Sequence, residues 1–255
     1  MALLAVCLAF GAASRASARA TSCAWASPPS RLADGPAGLI LAWTIADSPD
    51  LFVPAPANVP GLARYRAWAR ARADVDPRAL LRRQEKLYRR LGVRDADKIH
   101  RVLDGEIGRI ESINCLEALL FTEHEARYPI EAGATEFLAF ILRKDGRLKA
   151  YLLSHGDTNG VSPSGELVRG RLREDRAQGW ILLANLHNHP FQFDNPSGDI
   201  GGTTVPSGDS SYGDVSVFQS GVSEYDMRGA WITNGFDTVR FDAADVAALG
   251  RLSAK

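Results

Sequence analysis

Two histidines one residue apart, in His187-Asn188-His189-Pro190, stand at the end of an almost wholly apolar run from Trp180 to Leu186. Alternate side chains of an extended chain point to the same side. A strand through this tetrapeptide therefore aims both imidazoles one way and Asn188 the other. Two neighbouring imidazoles suit one zinc ion, which in catalytic sites takes three protein ligands and keeps a fourth position for water. The third ligand is expected to be a carboxylate, because Cys7, Cys23 and Cys115 have no Cys-x-x-Cys spacing. Ser211-Tyr212-Gly213-Asp214 supplies one just ahead of a stretch with helical potential. His124 and His155 have no partner at ligand spacing and read as ordinary polar residues.

The surrounding pattern says what must position these groups. Glu136 to Leu142 and Arg147 to Leu153 are apolar segments flanking Lys144-Asp145-Gly146, and Asp-Gly is a strong hairpin turn. The run into His187 is a third strand. Residues 193–213 are rich in Gly, Ser, Pro and Asp, a length beyond ordinary connections that marks a functional segment. Val215 to Tyr225 reads as a helix, and Ala230 to Thr233 and Thr238 to Phe241 read as closing strands around Asn234-Gly235. Strands mixed with helices over residues 128–250 define an α/β domain.

Upstream, residues 62–127 read as an all-helical accessory region. Asp76 and Pro77 form an N-cap with proline at the first helical position, and Leu80, Leu81, Leu87 and Leu91 follow at helical spacing. The arginines of this region (among them Arg78, Arg82, Arg83, Arg89 and Arg90) read as a solvated face, since no aromatic interleaving accompanies them. Residues 21–61 hold seven of the thirteen prolines and read as an extended leader or linker, broken by the apolar stretch Leu39 to Ile45. Residues 1–20 read as a signal peptide: an apolar run from Leu3 to Phe10, then Ala16-Ser17-Ala18. The expectation is a secreted or periplasmic protein in which Cys23 and Cys115 are free to pair, with Cys23 a poor lipid-anchoring signal. With zero formal net charge nothing global argues for a nucleic-acid binder, and no apolar stretch after the leader reaches the roughly 20 residues of a membrane span.

The series Glu136, then His187-x-His189-Pro190, then Ser211-x-x-Asp214, with Glu136 opening the hairpin, resembles the signature of the JAMM or MPN-plus zinc metalloproteases, and His-Asn-His-Pro is similar to its RadC-like branch. The resemblance covers residues 130–245 and leaves the helical region aside. It implies a cytidine-deaminase-like mixed β-sheet flanked by helices. It also implies zinc on His187, His189 and Asp214, with Glu136 taking a proton from the attacking water and handing it to the leaving amine, and Ser211 stabilising the oxyanion. The implied substrate is a peptide or protein amide bond.

The sequence departs from the family where Asp214 lies far beyond the usual distance from the second histidine. Asp199, in Pro196-Ser197-Gly198-Asp199, and Asp209 compete for the ligand position, while Asp214 is preferred because Ser-x-x-Asp is intact and an apolar helix follows. On this reading residues 191–210 are an insertion beside the site. Glu131, Glu123 and Glu125 compete with Glu136, which the hairpin register favours. Two other functions fit the same residues: a metal-dependent hydrolase of a phosphodiester or cell-wall amide, and a catalytically silent MPN-like scaffold. Substrate identity and oligomeric state are not written in the sequence.

Overall fold

The computed structural model describes residues 23–36, 38–156, 165–207 and 213–253. Among them eight strands form one mixed sheet: β1 (Ser30–Gly35), β2 (Gly38–Ala46), β3 (Arg109–Ser112), β4 (Phe137–Lys144), β5 (Arg147–Ser154), β6 (Ile181–Asn188), β7 (Gly229–Thr233) and β8 (Asp237–Asp242), in spatial order β1-β2-β5-β4-β6-β7-β8-β3. All neighbours pair antiparallel except β6 and β7, which run parallel. The helices are α1 (Pro60–Arg70), α2 (Pro77–Leu91), α3 (Asp95–Leu103), α4 (Cys115–Arg127), α5 (Gly165–Ala177), α6 (Asp214–Tyr225) and α7 (Ala243–Ser253).

Helices cover both faces of the sheet. Leu62 of α1 and Leu116, Leu120 and Phe121 of α4 pack with Leu41, Trp43, Ile141, Leu152 and Leu186 in one core. Ile99 of α3, Val168 and Leu172 of α5, Phe218 of α6 and Val246 and Leu249 of α7 pack with Ile40, Leu142, Leu182 and Ile232 in the other. The fold is thus a mixed α/β sheet between helical layers.

Local chemistry explains the boundaries. The β4–β5 hairpin closes through Asp145 (φ 45°) and Gly146 (φ 71°), the two left-handed residues of a type I′ turn, which fixes the pairing of Lys144 with Arg147. The Asp76 carboxylate accepts the Ala79 N–H at 2.8 Å and Gly92 terminates α2 in the left-handed region. Leu80, Leu81 and Leu87 are buried, whereas Leu91 at the end of the helix is 54% exposed. Asn114 and Glu117 close a reciprocal capping box at the start of α4.

The proline-rich stretch is not a linker through its whole length. It supplies β1 and β2, and β2 pairs with β5 along eight residues from Leu39 to Ala46. Between two helical layers a strand is apolar on both faces, which removes the period-two alternation that identifies a strand. Nor is the segment 62–127 wholly helical, since β3 within it pairs with β8 at the sheet edge. Both segments belong to the same sheet as residues 128–250. A Cys23–Cys115 disulfide ties the chain ahead of β1 to the first turn of α4, and Trp25 stacks on Trp43 beside it with ring centroids 4.3 Å apart. The signal-peptide reading falls on residues 1–20, outside the described residues. No helix among those described is long and apolar enough to cross a membrane.

Candidate metal centre

The parallel pair β6–β7 sets the position of both histidines. Register pairing continues to Asn188 with Thr233, and the His189 N–H then donates to the Thr233 carbonyl at 2.9 Å, so His189 stays extended beyond the last strand residue. The two rings consequently share a face. The His187 ring packs on Phe218 of α6, with centroids 5.6 Å apart. Asp214, the first residue of α6, brings its carboxylate to the same point, and the positive end of a helix is a favourable place for it.

The three side chains converge. The Nε2 atoms of His187 and His189 are 3.1 Å apart, Asp214 Oδ1 is 3.4 Å from His187 Nε2, and Asp214 Oδ2 is 3.2 Å from His189 Nε2. A tetrahedral ion with bonds of about 2.0–2.1 Å spaces its ligands by roughly 3.3–3.4 Å. Two imidazoles and one carboxylate at these separations could hold a metal ion. Among the described residues this is the one group of three His, Cys or carboxylate side chains with ligand atoms so close.

A second layer of contacts holds the ligands. His189 Nδ1 donates to the Thr203 carbonyl at 2.6 Å, which leaves Nε2 facing the centre. Asp214 Oδ2 accepts both the N–H and the hydroxyl of Ser207, at 2.7 and 3.0 Å, and the Asp214 N–H returns to the Ser207 carbonyl at 3.2 Å. Ser207 and Thr203 were missed in the sequence: hydrogen bonds between irregular segments leave no spacing signature. Burial alone would depress the basicity of His189, but the hydrogen bond and charge of Asp214 outweigh it. With help from Glu136 and Thr203 they raise its pKa to about 9. Burial pushes the Asp214 carboxyl up while the charge and hydrogen bonds of the two imidazoles hold it well below the usual carboxylate range.

Glu136 immediately precedes β4 and is half-buried, and its charge is one of those acting on His189. Asn188, pointing away from the histidine face, is fully buried; its Oδ1 accepts the Phe137 N–H at 2.6 Å and its Nδ2 donates to the Thr135 carbonyl at 3.1 Å.

The rival residues lie elsewhere. Asp199 is held by α2, with Gln84 Nε2 donating to its Oδ1 at 2.7 Å and the Tyr88 hydroxyl to its Oδ2 at 2.9 Å. Glu131 pairs with Arg64 at 2.6 Å, and Glu125 pairs with the same guanidinium while accepting the Ile130 N–H. Glu123 lies on α4, where burial raises its carboxyl pKa and the neighbouring Trp25 opposes the shift. His124 is fully buried against Thr135, and burial pushes its pKa down to about 3. Ser211 and Asp209 lie outside the described residues.

No protein-family profile, curated protein or solved structure matches this chain.

Proposed function

We propose that the chain is a zinc-dependent hydrolase of the JAMM type, acting on a peptide or isopeptide amide bond. The observation that carries the reading is the convergence of His187 Nε2, His189 Nε2 and the Asp214 carboxylate on one point. Zinc bound there supplies a Lewis acid for the scissile carbonyl and lowers the pKa of water toward about 7. His187 and His189 bind as neutral imidazoles, and Thr203 and Ser207 keep His189 and Asp214 aimed at the centre. Glu136 serves as the base that accepts a proton from the attacking water and returns it to the departing amine. Ser211 is proposed as the donor to the developing oxyanion. The Cys23–Cys115 disulfide supports an exported protein, because such bridges persist in oxidising compartments.

Elemental analysis tests this first. The parent should hold about one zinc per chain and the His187→Ala and Asp214→Ala variants close to none. A screen of unstructured and lysine-branched peptides should then find turnover that Glu136→Gln abolishes without loss of metal. A parent that stays metal-free after reconstitution with zinc sinks the proposal.

A further inference from the structure

One side-chain amide holds the backbone on both sides of Glu136. The Thr135 carbonyl, which accepts from Asn188 Nδ2, belongs to the peptide group entering Glu136; the Phe137 N–H, which donates to Asn188 Oδ1, belongs to the peptide group leaving it. The two soft dihedrals of a residue are the rotations of its Cα against these two planes. Fixing both planes fixes the direction in which the Glu136 side chain departs. On the far side the Glu136 carbonyl accepts the His155 N–H at 3.2 Å, which closes the grip from β5.

The asparagine amide meets both demands. A carbonyl can only be met by a donor and an N–H only by an acceptor, so the partner must offer one of each in a short planar unit. Aspartate lacks the donor, and leucine lacks both. Backbone pairing between β4 and β6 ends at Leu138 with His187, one residue short of Phe137, so the Asn188 side chain takes over where the ladder stops.

We propose that Asn188 is the positioning residue for Glu136: the strand residue between the two imidazoles aims the carboxylate that works beside them. This rests on the reading of Glu136 as the base. It makes His187-Asn188-His189 a single device in which one face of β6 holds the metal ligands and the opposite face orients the proton acceptor.

The test compares the parent, Asn188→Ala, Glu136→Gln and the double variant for zinc content, turnover of the best peptide from the screen, and hydrogen exchange of the Phe137 amide. Asn188→Ala should retain about one zinc per chain. Its kcat should fall by roughly tenfold to a hundredfold at unchanged KM. The loss should vanish in the Glu136→Gln background, because a base already removed cannot be misaimed. The Phe137 amide should exchange at least about tenfold faster. A loss of the same size in the Glu136→Gln background, or loss of zinc with Asn188, overturns the role and makes Asn188 a support for the histidines. An unchanged Phe137 exchange rate overturns the grip itself. That measurement needs neither metal nor substrate, so a metal-free parent with a loosened Phe137 in Asn188→Ala would sink the hydrolase reading and leave the grip standing. If Asn188→Ala fails to fold, Asn188→Asp carries the same comparison, keeping the acceptor for Phe137 and losing the donor to Thr135.

Discussion

His189 Nδ1 and the carbonyl oxygen of Thr203 are 2.6 Å apart, and this contact links the candidate metal centre to a helix that contributes none of its three side chains. Thr203 follows Gly201, whose carbonyl accepts from Gln84 and whose N–H donates to Asp199, itself held by Gln84 and Tyr88 of α2. The helix therefore fixes the loop that fixes the imidazole. Replacing Asp199 with alanine should weaken zinc binding by about tenfold to a hundredfold, as loss of outer-shell support usually does. Competition against a chromophoric chelator measures this. Parent-like affinity would show that α2 has no part in the centre.

The protonation state of the metal-free site predicts how zinc uptake varies with pH. His189, with its pKa raised to about 9, must lose a proton before it can bind metal. Apparent affinity should therefore climb as pH rises and level off above about 9, with about one proton released from His189 per zinc near pH 7.5. The same shift has a stability sign. A histidine whose folded pKa exceeds its unfolded value of 6.5 contributes fully below 6.5 and progressively loses that contribution as pH rises to about 9. Metal-free protein should lose melting temperature across this window, and zinc-loaded protein should not. Affinity that is flat between pH 6.5 and 9, read calorimetrically in two buffers, would contradict this account.

Asp237, at the start of β8, also loses stability as pH rises, but because its ionised form is the one the fold disfavours. Burial, with Asp76 adding and Arg66 opposing, raises its carboxyl to about 6. Ionising it costs the folded state nothing below the unfolded value of 3.8 and the full penalty above 6. Asp237→Asn should be more stable than the parent at pH 7.5 by about 1 kcal/mol, after discounting for solvent screening of a half-buried group. Urea midpoints at pH 7.5 and pH 3.5 decide it, because the advantage should disappear at the lower pH.

The Cys23–Cys115 bridge spans 92 residues and joins the start of the described chain to α4. Closing a loop of that size removes entropy from the unfolded chain worth about 4–5 kcal/mol. The Cys23→Ser variant should show a reduced urea midpoint by an amount that added reductant produces in the parent and no longer produces in the variant. Zinc content should not change, since neither cysteine lies in the metal group.

The parts of the molecule legible in sequence are those whose signal is local. Alternation placed His187 and His189 together, Asp145-Gly146 defined a hairpin, Asp76-Pro77 began a helix, and Asp214 stood at the head of an apolar one. The hidden parts depend on packing across the chain. Leu39, Leu41, Trp43 and Ile45 feed one core and Ile40 the other, so β2 reads as a featureless apolar run between prolines. β3 is four residues long with two charges, and only pairing with β8 makes it a strand. In α5, Val168, Leu172 and Asp175 are the buried residues, too sparse a stripe to announce a helix. Asp199 competed with the preferred Asp214 in sequence; the partners that hold it, Gln84 and Tyr88, lie more than a hundred residues upstream.

Because β6 and β7 run side by side in the same direction, the chain between them must travel back along the sheet before it can pair again. His189 and Asp214 lie on this return path, roughly 25 residues apart. An ion joining them would act as a cross-link, closing a ring whose entropy is worth about 3 kcal/mol on the same scale as a disulfide. Chelation would then be felt as proteolytic cutting between β6 and α6 and as a lower melting temperature, with the Cys23–Cys115 bridge still closing its own, separate ring.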